Sequence, residues 1–137
     1  MSTPVFTNEG EKRILDFLTA GMSRACMLFK NNYTPVAASV FADFTDADFS
    51  GYSAGGAALS YAAATTNGGG QSQSLATQVS FSHNGGGTAN DIYGYAIYDS
   101  VSSKILKAER FDTLINMAAS GDVIKITDKF LAAGTIT

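Results

Sequence analysis

Few side chains in this sequence could carry chemistry, and their types limit what that chemistry would be. His83 is the one imidazole and Cys26 the one thiol among 137 residues. Nucleophilic catalysis of the Ser-His-Asp or Cys-His kind needs a base held within hydrogen-bond reach of the nucleophile. His83 stands beside Asn84 and the run Gly85-Gly86-Gly87, a flexible strand-end setting that preorganises a base poorly. Cys26 lies in the apolar run Ala25-Cys26-Met27-Leu28-Phe29, where nothing is expected to lower a thiol pKa and the strand pattern suggests burial. It reads as a buried small hydrophobe, and a single cysteine forms no internal disulfide.

Asp43, Asp46 and Asp48 cluster, and Asp46-Ala47-Asp48-Phe49-Ser50-Gly51 has the opening spacing of a calcium loop. The twelfth position, however, is Ala57, where a bidentate carboxylate is required. Solvated turn carboxylates that cap short structure are the expectation, and no metal or other cofactor is expected. Gly85-Gly86-Gly87-Thr88 is followed by neither a Lys nor a helix pattern, as a phosphate cradle would be. No spacing singles out a carboxylate pair for glycoside hydrolysis, which is a spatial property. The chain is therefore expected not to be an enzyme.

Aromatic residues offer a different possibility. At period two, Tyr93 and Tyr95 share a strand face with Ile97 while Tyr98 points the other way. Such a row can stack on a sugar or a base, but is more often a half-buried sheet face. Phe81, Tyr93 and Tyr95 are the aromatic residues expected to contribute to the core or to a protein interface.

The elements that must position these residues are mostly strands. A helix is expected over 7–21, with Asn8 and Glu11 spaced as an N-cap and its capping-box partner and Gly21 as the stop. A period-two run through Cys26 and Leu28 follows, ending at the turn residues Asn31-Asn32-Tyr33-Thr34-Pro35. Residues 36–52 read as a strand and then a turn or helical loop anchored by aromatics. Ala57 to Ala64 suits a small-residue strand or a helix. Leu75 to Ser82, Ile92 to Tyr98, Lys104 to Phe111 and Asp122 to Phe130 read as strands, with glycine runs at 68–70 and 85–87 as exposed connections. About seven short β segments without alternating helices predict a mainly β fold, an antiparallel β-sandwich or jelly roll with one N-terminal α-helix. The expected organisation is an arm and helix over 1–22 and a single β-sandwich domain over 23–137.

Charge excludes several partners. The net charge of −3 opposes the wide cationic footprint that nucleic acid binding requires. No run approaches the roughly 18 apolar residues of a membrane-spanning helix. No basic segment leads into an apolar run at the N-terminus, so the mature chain is expected to begin near Met1. Residues 51–90 contain no Asp, Glu, Lys or Arg. A stretch so poor in charge, yet holding Leu, Val, Phe and Tyr, is unlike the usual solvent face of a monomer, and part of it is expected to face another chain.

Three local strings carry a resemblance: Leu28-Phe29-Lys30-Asn31-Asn32-Tyr33-Thr34-Pro35, then Ala42-Asp43-Phe44-Thr45-Asp46-Ala47-Asp48-Phe49-Ser50-Gly51-Tyr52, and Ala108-Glu109-Arg110-Phe111 with Gly121-Asp122. Together they resemble small structural proteins of tailed bacteriophages. The resemblance implies a virion component without catalytic residues, made in the host cytoplasm and seated on the capsid surface as a decoration or cement protein. Its expected partners are the major capsid protein and further copies of itself, a trimer at a symmetry axis being favoured. A tail, neck or fibre station is the structural alternative. A carbohydrate-binding module using Tyr93 and Tyr95 beside Asn90 or Asp91 is the alternative from another class.

Overall fold

The structure, a computed structural model, describes residues 12, 15–17, 23–66 and 68–132, with side chains as far as Phe130. These residues form nine strands: β1 Arg24–Phe29, β2 Ala57–Leu59, β3 Thr65–Thr66, β4 Ser72–Leu75, β5 Val79–Ser82, β6 Asn90–Asp99, β7 Lys104–Met117, β8 Val123–Ile126 and β9 Lys129–Ala132. Every strand pairing is antiparallel. Lys12, Leu15, Asp16 and Phe17 are helical. The fold is thus mainly β with a short N-terminal helix, as the sequence patterns predict; the Asn8/Glu11 cap and the Gly21 stop lie outside the described residues. Among the described residues no helix is long and apolar enough to cross a membrane.

The chain groups into two compact units. One consists of Ser23–Leu59 and Val79–Ile126; the other joins Ser60–Gln78 and Thr127–Thr137 to Met1–Met22. Two pieces of the body expected as one domain therefore group with the N-terminal segment.

In the first unit a four-stranded sheet has the order β2-β1-β6-β7, and β5 pairs with β8. β1 lies between β2 and β6, and all six of its residues are buried, which is why its sequence is apolar on both faces rather than alternating. Ala25, Met27 and Phe29 join Ala96 and Tyr98 in one cluster, roofed by Phe44 and flanked by Tyr33 and Phe41. The rings meet edge to face, Phe29 on Phe44 at 5.1 Å, Tyr33 on Phe44 at 5.2 Å and Phe41 on Tyr98 at 5.1 Å, the geometry that ring quadrupoles favour. Gly94, opposite Phe29, leaves room for that ring: a Cβ there would collide with it and with the Glu109 carbonyl. Gly56, at φ +86°, likewise lets the chain pass against the Cys26 carbonyl.

In the second unit β4 lies between β3 and β9. Its inward residues are Ser72 and Ser74, both fully buried, and such groups require partners. Ser74 Oγ donates to the Ala62 carbonyl at 2.6 Å. The Tyr61 hydroxyl donates to buried Asp128 at 2.7 Å, and the Tyr61 ring tilts onto Phe130.

Three expected elements differ. Leu75 to Ser82 is two strands, β4 and β5, because the chain leaves one unit for the other after Gln78. Asp122 to Phe130 divides into β8 and β9 at the reverse passage. Period-two alternation continues through both passages, so the pattern does not mark them. Residues 36–52 begin with a loop rather than a strand, containing one 3-10 turn at Phe41–Asp43. Ala57–Leu59 is strand, with Ala58 opposite Ala25 of β1.

Candidate functional site

His83 is organised by burial and not by exposure. Its side chain is buried and stacked on Phe49 with ring centroids 5.9 Å apart. The Gly85 N–H donates to Nδ1 at 2.9 Å, which leaves Nε2 to carry the proton and donate to the Thr88 carbonyl, also at 2.9 Å. The ring thus clasps the glycine run from both ends. Ser50 latches the same loop: its carbonyl accepts from the Asn84 N–H, its Oγ from the Thr88 N–H, and its own N–H donates to the Thr88 carbonyl. The setting expected to be flexible is a closed knot, with both imidazole nitrogens engaged by the backbone.

The three clustered aspartates are each engaged within the protein, Asp43 and Asp46 by nearby residues and Asp48 by distant ones. Asp43 reaches back to the Val40 N–H at 2.9 Å, ahead of the 3-10 turn. Asp46 accepts from the Tyr52 hydroxyl and from the Gly55 N–H, both at 2.7 Å. Burial, reinforced by that bond to Asp46, pushes the Tyr52 phenol well above its ordinary range, and the phenol oxygen also accepts from the Leu28 N–H at 3.1 Å. Asp48 pairs with Lys30 at 2.9 Å and accepts from Asn90 Nδ2. These two partners, Lys30 first, hold its carboxyl below the usual aspartate range. Among the described residues no three His, Cys, Asp or Glu side chains converge in a way that could hold a metal ion.

The aromatic trio does not form one surface. Phe81 is buried and stacks on Tyr52 at 5.7 Å. Tyr95 is buried, with its hydroxyl donating to Glu109 at 2.9 Å. Tyr93 is half-buried; its ring lies under the Arg110 guanidinium at 5.3 Å and packs against the cluster that contains Ala96 and Tyr98. Arg110 and Glu109 are neighbours on one strand, so Tyr93 and Tyr95 point to opposite faces. The expectation that they share a face fails because the β6–β7 register shifts between Ile92 and Gly94, and a bulge breaks the alternation on which that expectation rests. The pair therefore offers no stacking platform for a sugar ring.

Sequence patterns overlooked a surface on β7. This strand of 14 residues is an edge of the four-stranded sheet, paired along one side only among the described residues. Beside it runs the loop after β1. Asn31 Nδ2 donates to the Asp43 carbonyl and its Oδ1 accepts from the Thr45 N–H. The Tyr33 hydroxyl and Ser39 Oγ share a hydrogen bond of 2.7 Å, and Ser39 Oγ accepts from the Val36 N–H. A loop latched in this way still turns two apolar residues outward, Val36 at 61% and Val40 at 57% exposure. Pro35–Ala37 and Ser39 face Ile105–Ala108 across a groove of about 340 Å³. A second groove, of about 270 Å³, lies between Ser39–Ala42 and Ser103–Ile105. The signal that could have found the surface is the length of the run after Lys104, in which charged and apolar residues are mixed without a turn.

Comparison with protein-family models, with curated proteins and with solved structures found no match. The arrangement in hand is an antiparallel β protein whose His83 and clustered aspartates are bonded internally and whose outward feature is a long strand, paired along one side only among the described residues, beside a groove.

Proposed function

We propose that the protein is a structural component of a tailed-bacteriophage virion, a head decoration or cement protein that docks on the major capsid protein and turns over no substrate. The carrying observation is the β7 edge with its adjoining grooves: a rigid, mixed apolar and charged strip with exposed Val36 and Val40, the composition of a protein-contact surface and not of a reaction cleft. The phage-like strings supply further support. Asn31, Tyr33 and Asp43, all within them, close the loop that borders this strip, and Ala108 lines one groove.

Copy number in purified virions tests the reading. Quantitative mass spectrometry is expected to find the chain in a fixed ratio to the major capsid protein, with immunogold label over the head. A handful of copies confined to the tail overturns the decoration role, and absence from the particle overturns the virion class.

A further inference from the structure

An asparagine followed by glycine can rearrange by itself, because glycine has no side chain to hinder attack of its backbone nitrogen on the preceding side-chain amide. The sequence holds this pair twice in the same setting, as Asn67-Gly68-Gly69-Gly70 and as Asn84-Gly85-Gly86-Gly87, and the second alone follows a histidine. The fold bonds that histidine to the attacking nitrogen itself: the Gly85 N–H donates to His83 Nδ1 at 2.9 Å. On the other side of the reacting pair the Gly86 N–H donates to Asn84 Oδ1 at 3.0 Å. A base on the nucleophile and a donor on the oxygen that gathers charge are the two aids that attack on a carbonyl requires. The base is itself oriented, through Nε2 on the Thr88 carbonyl and by stacking on Phe49. The Asn84 N–H, held on the Ser50 carbonyl at 3.0 Å, fixes the residue under attack. His83 is buried while residues 84–88 are exposed, so water reaches the amide without displacing the base.

We propose that Asn84 is a self-modifying site, where His83 serves as general base for closure to a succinimide that water then opens to aspartate or isoaspartate. His83 Nδ1 takes the proton of Gly85 N, and the nitrogen's electron pair forms the new bond to Asn84 Cγ. Charge gathers on Oδ1 against the Gly86 N–H. As that pair returns to carbon the Cγ–Nδ2 bond breaks, and Nδ2 takes the proton back from His83 and leaves as ammonia. Water next adds at Cγ or at the Asn84 main-chain carbonyl carbon and breaks that carbon's bond to Gly85 N, which keeps a proton of the water. One ammonia is lost for one water gained, with no oxidant or reductant. Either product puts a carboxylate into the stretch 51–90, which has no Asp, Glu, Lys or Arg. Isoaspartate also lengthens the main chain inside the loop that Ser50 and His83 close. The site goes beyond the docking reading and uses none of its observations.

The test follows loss of the Asn84 amide in the full chain at neutral pH, by peptide mass spectrometry with enzymatic methylation to count isoaspartate. In the folded chain Asn84 is expected to convert about a hundredfold faster than in the same chain unfolded in guanidinium chloride, the low end of what a positioned base supplies. In the unfolded chain Asn84 and Asn67 are expected to convert at like rates, since the same three glycines follow each. His83→Gln, which stays polar but holds no base, is expected to bring the folded rate down to the unfolded one. A folded Asn84 no faster than the unfolded one overturns the proposal, as does a natively folded His83→Gln variant that keeps the fast rate. An Asn84 that outpaces Asn67 as strongly in the unfolded chain overturns it too, since the fold would then contribute nothing. Should His83→Gln lose native circular dichroism, the folded-to-unfolded ratio of the unaltered chain decides: a ratio near unity refutes a base held in place by the fold.

Discussion

β1 and β7 belong to one sheet, with only β6 between them, yet they are built to opposite specifications. β1 is covered along both edges and buried at all six positions, with Arg24 its one charged residue. Among the described residues β7 is covered along one edge; it carries Lys104, Lys107, Glu109, Arg110 and Asp112, and exposes most of its C-terminal half. Strand propensity does not separate them, since both hold Leu and Phe. Position in the sheet does: an inner strand covered on both faces is selected for packing, and an edge strand for what it permits or refuses to pair with. The difference locates stability in β1 and its neighbours and, on the docking role proposed above, recognition in β7.

Removing one ring from each strand would break that division if it is wrong. Phe29 is fully buried with an edge-to-face partner in Phe44, and Phe29→Ala is expected to destabilise the fold by about 3–5 kcal/mol in urea or thermal unfolding. Phe111 is half-buried, with a tilted contact to Tyr95 at 6.2 Å. Phe111→Ala is expected to cost about 1 kcal/mol, the centre of the range for ordinary substitutions. Equal losses would mean that β7 is as much a part of the core as β1.

The next largest effect is expected where neither pattern applies. His83→Ala removes a buried ring whose two nitrogens are both bonded, leaving the Gly85 N–H and the Thr88 carbonyl without those bonds. The expected loss is about 1–3 kcal/mol, accompanied by faster amide exchange over 84–88 and no change in β1. A loss that spreads evenly over the sheet would show that the knot belongs to the core.

Sequence patterns predict β1, β6 and the first half of β7 because covered strands repeat a period that local residues display. They predict the aspartates as turn carboxylates because a short acidic side chain meets backbone N–H groups only a few residues away, as Asp43 does with Val40. What escapes them depends on distant partners. His83 becomes a clasp only when the chain brings Phe49 and Ser50 to it, more than thirty residues away in sequence. Tyr93 leaves the face of Tyr95 because of a register shift against β7, and no local spacing encodes that shift. The outer position of β7 in its sheet is illegible for the same reason, since a strand's place in a sheet is a property of all its neighbours.

Tyr95 joins the two regimes, being buried in β6 while its hydroxyl donates to Glu109 on the exposed edge. Tyr95→Phe keeps the ring and deletes the bond, and is expected to cost about 1 kcal/mol. A double-mutant cycle with Glu109→Gln should show coupling between the two sites. Additive losses would mean that β7 carries Glu109 for its edge alone.

Acid should separate the strands with the smallest effect. β7 is tied at both ends by half-buried carboxylates: Asp99 accepts from the Val101 N–H and the Ser102 hydroxyl, and Asp122 from the Ala118 and Ala119 N–H groups, both at 2.9 Å. Those bonds hold each carboxyl below the 3.8 of an unperturbed aspartate, with weaker help from Arg24 at Asp99. Because the folded chain resists protonation at these sites more than the unfolded chain does, their stabilisation is complete above that value and disappears as the pH falls through the lower folded values. Below it, amide exchange at Val101, Ala118 and Ala119 is expected to rise relative to Met27 and Leu28 in the interior of β1, which hold no carboxylate. Asp122→Asn, which keeps an acceptor but loses the titration, should flatten the response at Ala118 and Ala119 and leave that at Val101 unchanged. If β1 loosens in step with the β7 ends, the inner strand and the edge melt as one and the division between them does not hold.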